Sequence, residues 1–365
     1  MSTSGPSSGP APAPALTGSR TLNLLLPAGA VAIILAVIHV APLWVFIFAA
    51  LGLIPAAAVL GHSTQELSAQ LGPLAAGILE ATLGNASELI LGIAALNAGL
   101  VEVVKASLTG SIISNLLMVL GLAMLMGGLG REKQQIDRAV ASTNATTLFL
   151  AAVGLIVPAV FSVTVYGRLE ADRPGIEPLS LWTAAILIVI YLVSLYFQLR
   201  TSRAPLAARR PGMRRQRTVL TLGAAVVVIA ILSELLVAEL QIAQRAFHGT
   251  DIFWGGVVFA LIGNAAEHAV AVSAARRDQM DLAMAIGVGS SLQIALLLAP
   301  VLVFLSLLLG HPMSLVFSGI EVVAVVLSAV MVGMIAQDGE TNWLEGAQLL
   351  AVYAILVVGF YFVPV

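Results

Sequence analysis

The chain has no cysteine among its 365 residues, so disulfides and thiolate metal sites are excluded outright. Charge is nearly as scarce. Asp, Glu, Lys and Arg together make up 10% of the residues, against about 25% in a soluble globular chain. Catalytic signatures are missing as well: there is no His-Glu-x-x-His and no Gly-x-Ser-x-Gly. The histidines, His39, His62, His248, His268 and His311, are scattered without metal-ligand spacing. An intramembrane enzyme needs a nucleophile with a base, or a bound catalytic metal, so the sequence argues against an enzyme and calls for no cofactor. The net charge of −2 favours no acidic or basic partner, and nothing points to nucleic acid. Residues 1–20, rich in Ser, Gly, Pro and Ala, read as a disordered tail. They lack the charged start and apolar middle of a cleaved signal peptide.

What remains is apolar. Hydrophobic residues account for 59% of the chain and fall in runs long enough to cross a hydrocarbon core of about 30 Å as helices. Backbone polar groups in lipid must be satisfied within the chain, and the runs are continuous rather than alternating, which argues against a barrel. The expectation is an all-α polytopic membrane protein of about eleven spans. They lie near 22–39, 41–60, 71–97, 101–128, 140–164, 178–199, 218–240, 251–274, 281–309, 313–336 and 342–364. Placing the N-terminus in the cytoplasm puts 13 of the 17 Lys and Arg inside, leaving Lys105, Arg168, Arg173 and Arg245 outside; this is the bias the positive-inside rule expects. The C-terminus then lies outside. Seven arginines between Arg200 and Arg217 make segment 200–217 a basic cytoplasmic loop, with anionic lipid or a regulatory partner as the alternative reading.

That loop separates two similar halves. Leu83-Gly84-Asn85-Ala86-Ser87-Glu88 matches Ile262-Gly263-Asn264-Ala265-Ala266-Glu267 at an offset of 179 residues. Downstream, Gly110-Ser111-Ile112-Ile113-Ser114-Asn115 answers Gly289-Ser290-Ser291-Leu292-Gln293. Upstream, Glu66 answers Glu234. The matched motifs sit five spans apart, an odd number, so the copies cross the membrane in opposite directions. Inverted repeats characterise secondary transporters, with the substrate site near the midplane where the repeats meet. The expected organisation is a tail at 1–20, a leading helix at 21–40, a first five-helix repeat at 41–199, the basic loop at 200–217 and a second repeat at 218–365.

Glu88 and Glu267 fall near the middle of their spans, where an acidic side chain costs about 2.5–3.5 kcal/mol even on the lenient insertion scale. Such residues face the protein interior and by default mark an ion or proton path. Two like charges close together in a low dielectric do not both stay ionised without a cation between them. The pair therefore has two comfortable conditions, ionised around a divalent cation or protonated and empty. Such a site couples ion to proton. Hard oxygen ligands suit Ca²⁺, and Asn85, Asn264, Asn115 and Gln293 carry side-chain oxygens for it. Gly84 and Gly263 weaken the helical ladder and would free backbone carbonyls. Ser111, Ser114, Ser290 and Ser291 are additional candidates, although Gly and Ser also serve close helix packing. Glu234 is a candidate proton relay or a capped structural residue. His268 points about 100° away from Glu267 and reads as packed, and Glu321 as structural.

These residues resemble the two signature repeats of calcium/proton antiporters in the calcium:cation antiporter superfamily: Gly84-Asn85-x-x-Glu88, Gly263-Asn264-Ala265-Ala266-Glu267-His268, and the stretches around Ser114-Asn115 and Gly289–Gln293. The resemblance implies one leading helix followed by two inverted five-helix repeats. It also implies that Glu88 and Glu267 bind Ca²⁺ and are protonated in its place, with Ca²⁺ and H⁺ as substrates and lipid as surroundings. Two features depart from the family. The segment between the halves, often acidic there, is basic here, and position 80, typically Asn, is Glu80. Glu80 precedes Glu88 by about 12 Å on a continuous helix and either lines the approach or is a proton site in its own right. A Na⁺- or K⁺-coupled exchanger, or a monovalent cation/proton antiporter, is the rival on the same scaffold; the Thr/Ser-rich motifs with Pro that mark sodium-coupled relatives are absent from both copies. A passive cation channel would carry a flux that does not reverse with the pH gradient. The compact chain without long loops suggests a bacterial plasma membrane.

Overall fold

The computed structural model describes residues 23–39, 41–170, 173–201 and 214–363. The N-terminal tail and most of the basic 200–217 loop lie outside these. Each apolar run becomes a helix: α1 (Leu26–Val37), α2 (Pro42–Ser68), α3 (Pro73–Leu83), α4 (Ala86–Asn97) and α5 (Val101–Gly128). There follow α6 (Arg138–Tyr166), α7 (Ile176–Thr201), α8 (Arg215–Ala238) and the short α9 (Leu240–Phe247). The last are α10 (Asp251–Arg276), α11 (Met280–Leu308), α12 (Gly319–Ile335) and α13 (Trp343–Phe362). Among the described residues, 8 helices are long and apolar enough to cross a membrane, or up to 9 if the bent pair α3 and α4 is one span; α1 and α12 are shorter apolar helices.

Small residues set how closely these helices approach. A Cβ on Gly52 of α2 would lie 2.6 Å from the Gly29 backbone of α1, with Leu232 of α8 covering the crossing at 3.2 Å. A Cβ on Gly110 of α5 would run into the backbone of Gly256 in α10, so this glycine serves packing. Farther along the same pair, Asn264 reaches Ser111, and Ala275 lies against Gly127. The contacts advance together, so α5 and α10 run side by side in the same direction. α5 is the most enclosed of the spans. Three of its neighbours' and its own turns widen to π-helix: Ser114–Val119 in α5, Trp254–Phe259 in α10 and Ile294–Leu298 in α11. Single π turns inside α-helices recur at functional sites.

Several boundaries differ from the sequence reading. α2 continues to Ser68 rather than stopping near 60, running through Pro55 and Gly61 without a break. α12 starts at Gly319 rather than 313. Residues 313–315 are not helical and are held by side chains, with Met313 N–H donating to Ser306 Oγ at 2.8 Å and Leu315 N–H to Ser180 Oγ at 3.0 Å. Ser318 and Glu321 then form a capping box that fixes the helix start. Lys105, counted above among external charges, is buried inside α5 at 2% exposure and so is no guide to orientation. The all-α expectation needs one amendment: a two-residue ribbon, β1 (Gln134–Gln135) against β2 (Glu340–Thr341), ties the α5–α6 and α12–α13 connections together. An ion pair between Lys133 and Glu340 flanks it. Their hydrogen bond raises the Lys133 ammonium above its ordinary value and lowers the Glu340 carboxyl below its own.

Candidate functional site

The two Gly-Asn pairs behave differently. α3 ends at Leu83 and α4 begins at Ala86, with the axes bent by 42° between them. Asn85 carries the break at φ −110° and ψ 32°. Gly84 is required here by close approach: a Cβ would lie 2.6 Å from the Glu80 carbonyl and 3.2 Å from Gln293 Oε1. Gly263 and Asn264, by contrast, lie within an unbroken helical stretch, Ala260–Arg276. The expectation that both glycines loosen their helices is therefore met only by the first copy; α10 departs from the α-helical ladder one turn earlier, in its π segment.

The side chains of the four motif segments join in one chain of hydrogen bonds across the halves. Asn85 Nδ2 donates to Gln293 Oε1 at 2.6 Å, and Ser290 Oγ donates to Asn85 Oδ1 at 2.8 Å. Asn115 Nδ2 donates to Ser290 Oγ at 3.1 Å and lies 3.5 Å from Asn264 Oδ1. Asn264 Nδ2 donates to Ser111 Oγ at 2.9 Å. The Asn85–Ser290 and Asn264–Ser111 contacts exchange under the 179-residue offset, so the two halves make the same bond in opposite senses. Ser114 and Ser291 do not join: Ser114 donates to the Ser111 carbonyl at 3.2 Å, and Ser291 to those of Gly287 at 2.8 Å and Ile112 at 3.4 Å.

The carboxylates sit against this network. Glu88, 7% exposed, accepts from Ser87 Oγ at 2.9 Å through Oε2. Its Cγ would lie 3.3 Å from a Cβ on Gly263, so the first acid is pressed on the second motif. Glu267 meets Ser290 and lies close enough to feel the charge of Glu88. Glu88 Oε1 and Glu267 Oε2 are both buried without a hydrogen-bond partner among the described residues. Unsatisfied buried carboxylate oxygens are costly and recur where an ion or proton is missing. Among the described residues no three His, Cys, Asp or Glu side chains cluster. A cation here would therefore take two carboxylates and neutral amide, hydroxyl and carbonyl oxygens, the hard set that suits a divalent ion such as Ca²⁺.

Other predicted residues fall outside the cluster. Glu234 is exposed on α8 and Glu80 half-buried on α3; neither has a side-chain hydrogen bond to the network among the described residues. His268 is buried with Nε2 unpartnered among the described residues, and Glu321 is the third residue of α12, closing the capping box with the N-cap Ser318. Two participants were not anticipated. Ser87 is adjacent to Glu88 in sequence, and the outward step of one residue concealed its contact. Tyr191 of α7 meets Gln293 with its hydroxyl; a tyrosine in an apolar span carries no sequence signal of such a role.

With the geometry in hand, comparison with known proteins is specific. The family model described as sodium/calcium exchanger protein matches residues 41–200 and 217–362. A Ca²⁺/H⁺ antiporter of Synechocystis is 42% identical over 347 residues, covering 88% of this chain and 91% of its own. The Ca²⁺/H⁺ antiporter ChaA of Bacillus subtilis is 39% identical over 319 residues, covering 85% and 89%. The structure of native YfkE superposes with a TM-score of 0.82 at 36% identity, over 94% of this chain and all of that one. An H⁺/Ca²⁺ exchanger structure, CAX, shares the fold at a TM-score of 0.70 and 16% identity, over 93% and 91%.

Proposed function

The chain belongs to the sodium/calcium exchanger protein family, and from that membership and the geometry of its site we propose that it exchanges Ca²⁺ for protons across a membrane. The observation that carries the reading is the pair of buried, unpartnered oxygens, Glu88 Oε1 and Glu267 Oε2, one from each half. Ca²⁺ binds between the ionised pair, with Asn85, Ser290, Asn115, Asn264, Ser111 and Gln293 orienting or completing the oxygen shell. Protons take the same carboxylates when the ion leaves. Each form neutralises the pocket, whereas two bare carboxylates in a low dielectric repel, so the empty ionised state is avoided and the two fluxes are tied.

The family model matching each half separately supports two repeats, and the motifs' separation by five spans, an odd number, supports their inversion. Alternating access follows from such a pair: one arrangement of the halves opens the site to one side, and its inverted counterpart opens it to the other. The basic 200–217 segment favours a cytoplasmic N-terminus. The bacterial relatives favour a plasma membrane.

The direct test uses purified protein in vesicles holding a pH gradient with no Na⁺ or K⁺ gradient. Added Ca²⁺ should release protons from the vesicles and the flux should reverse when the gradient is reversed. A Ca²⁺ flux that needs Na⁺ would move the protein to sodium coupling, and one indifferent to the gradient would make it a channel.

A further inference from the structure

A second buried charge cluster lies between α5 and α12, at the end of the bundle opposite the β ribbon. Glu321 is 2% exposed, Lys105 2% and Thr109 1%. Thr109 Oγ1 of α5 donates to Glu321 Oε1 of α12 at 2.8 Å. Ser318 donates to Glu321 Oε2 from its hydroxyl at 2.6 Å and from its N–H at 3.0 Å. The Lys105 ammonium interacts with Glu321 electrostatically and bonds Glu102 Oε1 at 2.8 Å, where Glu102 itself is 61% exposed. Three donors satisfy the Glu321 side chain where it is buried, and a buried lysine left without its acid would be strongly destabilising. The Thr109–Glu321 bond therefore pins the α5 of the first half to the α12 of the second.

The equivalent place in the other half is empty. Under the 179-residue offset, Glu102, Lys105 and Thr109 correspond to Asp281, Met284 and Val288. These three line a cavity of about 280 Å³ between α11, α6 and α12 near the ribbon, which Asp137 and Asn144 also line. The seam that α5 makes with α12 is thus bridged by a side-chain bond between Thr109 and Glu321 beside a buried lysine, while its counterpart between α11 and α6 holds a cavity, bridged at its rim by the Asp137 N–H donating to Asp281 Oδ1 at 2.7 Å.

We propose that Glu321, Thr109 and Lys105 form a charge latch that keeps the α5–α12 seam shut and parts when the transporter opens toward that end. The proposal rests on the alternating-access reading, but it concerns a seam and not the ion site. A latch of this kind stabilises one arrangement by its own hydrogen bonds. Weakening it raises the population of the other, without touching Glu88 or Glu267.

The chain has no native cysteine, so one reporter suffices. Val325→Cys lies one turn beyond Glu321 on the same face of α12 and is 2% exposed in its native form. Its labelling by a membrane-impermeant maleimide, in vesicles without ion gradients, is compared with and without Glu321→Gln, Lys105→Met or Thr109→Val. Each latch variant should speed labelling roughly tenfold, the effect of one lost hydrogen bond to a charged group. The increase should appear from one vesicle face only. Thr109→Val removes only the donor at constant shape and carries the test if the charge variants fold poorly. Unchanged labelling in folded Thr109→Val, or acceleration from both faces alike, would overturn the latch. Loss of Ca²⁺/H⁺ flux in the parent protein would instead defeat the transport reading and leave the labelling result standing.

Discussion

Asn85 and Asn264 occupy matched positions and bond matched serines, Ser290 and Ser111, across the halves. Their geometry separates residues that hold the site from residues that merely lie near it. Ser290 touches Asn85, Asn115 and Glu267, whereas Ser291 donates to backbone carbonyls. Ser290→Ala should raise the Ca²⁺ concentration for half-maximal flux about fivefold, in line with one neutral hydrogen bond of about 1 kcal/mol, and Ser291→Ala should leave it near the parent value. Removing a charge is a larger matter. Glu88→Gln or Glu267→Gln leaves a single carboxylate to balance a divalent ion, and the new amide exchanges no proton, so Ca²⁺-dependent proton flux should fall roughly 100-fold or more. Retention of full flux by either variant, with normal membrane insertion, would remove these residues from the site. Gln293→Ala should weaken Ca²⁺ half-saturation as Ser290→Ala does, whereas Glu321→Gln removes no group from the site, because Glu321 contacts Thr109 and Ser318. Glu88 and Glu267 could be singled out from the chain alone because an isolated Glu in an apolar run stands out. Tyr191 was not, since its link to Gln293 joins separate spans and leaves no trace in local spacing.

At the scale of helices, glycine has two distinct uses in the same motif. Gly110 faces the Gly256 backbone with no room for a methyl group, whereas a Cβ on Gly289 would meet nothing within 4 Å. Gly110→Ala should therefore force α5 and α10 apart and destabilise the protein by about 1–3 kcal/mol, the usual cost of overpacking. Gly289→Ala should cost little, and gain slightly from helix propensity. Thermal unfolding in detergent, compared for the two variants, distinguishes them; equal losses would contradict the close crossing. The spans themselves were readable because hydropathy is a local property. The break at Gly84 and the continuity at Gly263 were not, although both copies read Gly-Asn. Gln293 crowds Gly84 and Glu88 crowds Gly263, so the difference comes from what each glycine meets across the halves. Likewise Thr109 and Glu321 lie 212 positions apart, and nothing in either segment announces the other.

For the whole molecule, the pocket makes one more demand. The two unpartnered oxygens belong to opposite halves, so an ion held between them bonds the halves together. Ligand that binds only the folded protein stabilises it by RT ln(1 + [L]/Kd), about 2.7 kcal/mol at a hundredfold excess over Kd. Ca²⁺ should accordingly raise the unfolding temperature in detergent, and Mg²⁺, which dehydrates reluctantly and demands a tight octahedral shell, should do so less. Protons compete for the same carboxylates. As pH falls, more of the folded protein is protonated at the site, the apparent Kd for Ca²⁺ rises, and the Ca²⁺-induced shift shrinks at fixed Ca²⁺. The sign is fixed by linkage: if Ca²⁺ displaces protons, then protons weaken Ca²⁺. In Glu88→Gln and Glu267→Gln the stabilisation should be small at every pH, since the two-charge site no longer exists. A Ca²⁺ shift that is independent of pH, or that survives in both variants, would mean that the ion stabilises the protein from somewhere other than the junction of the halves.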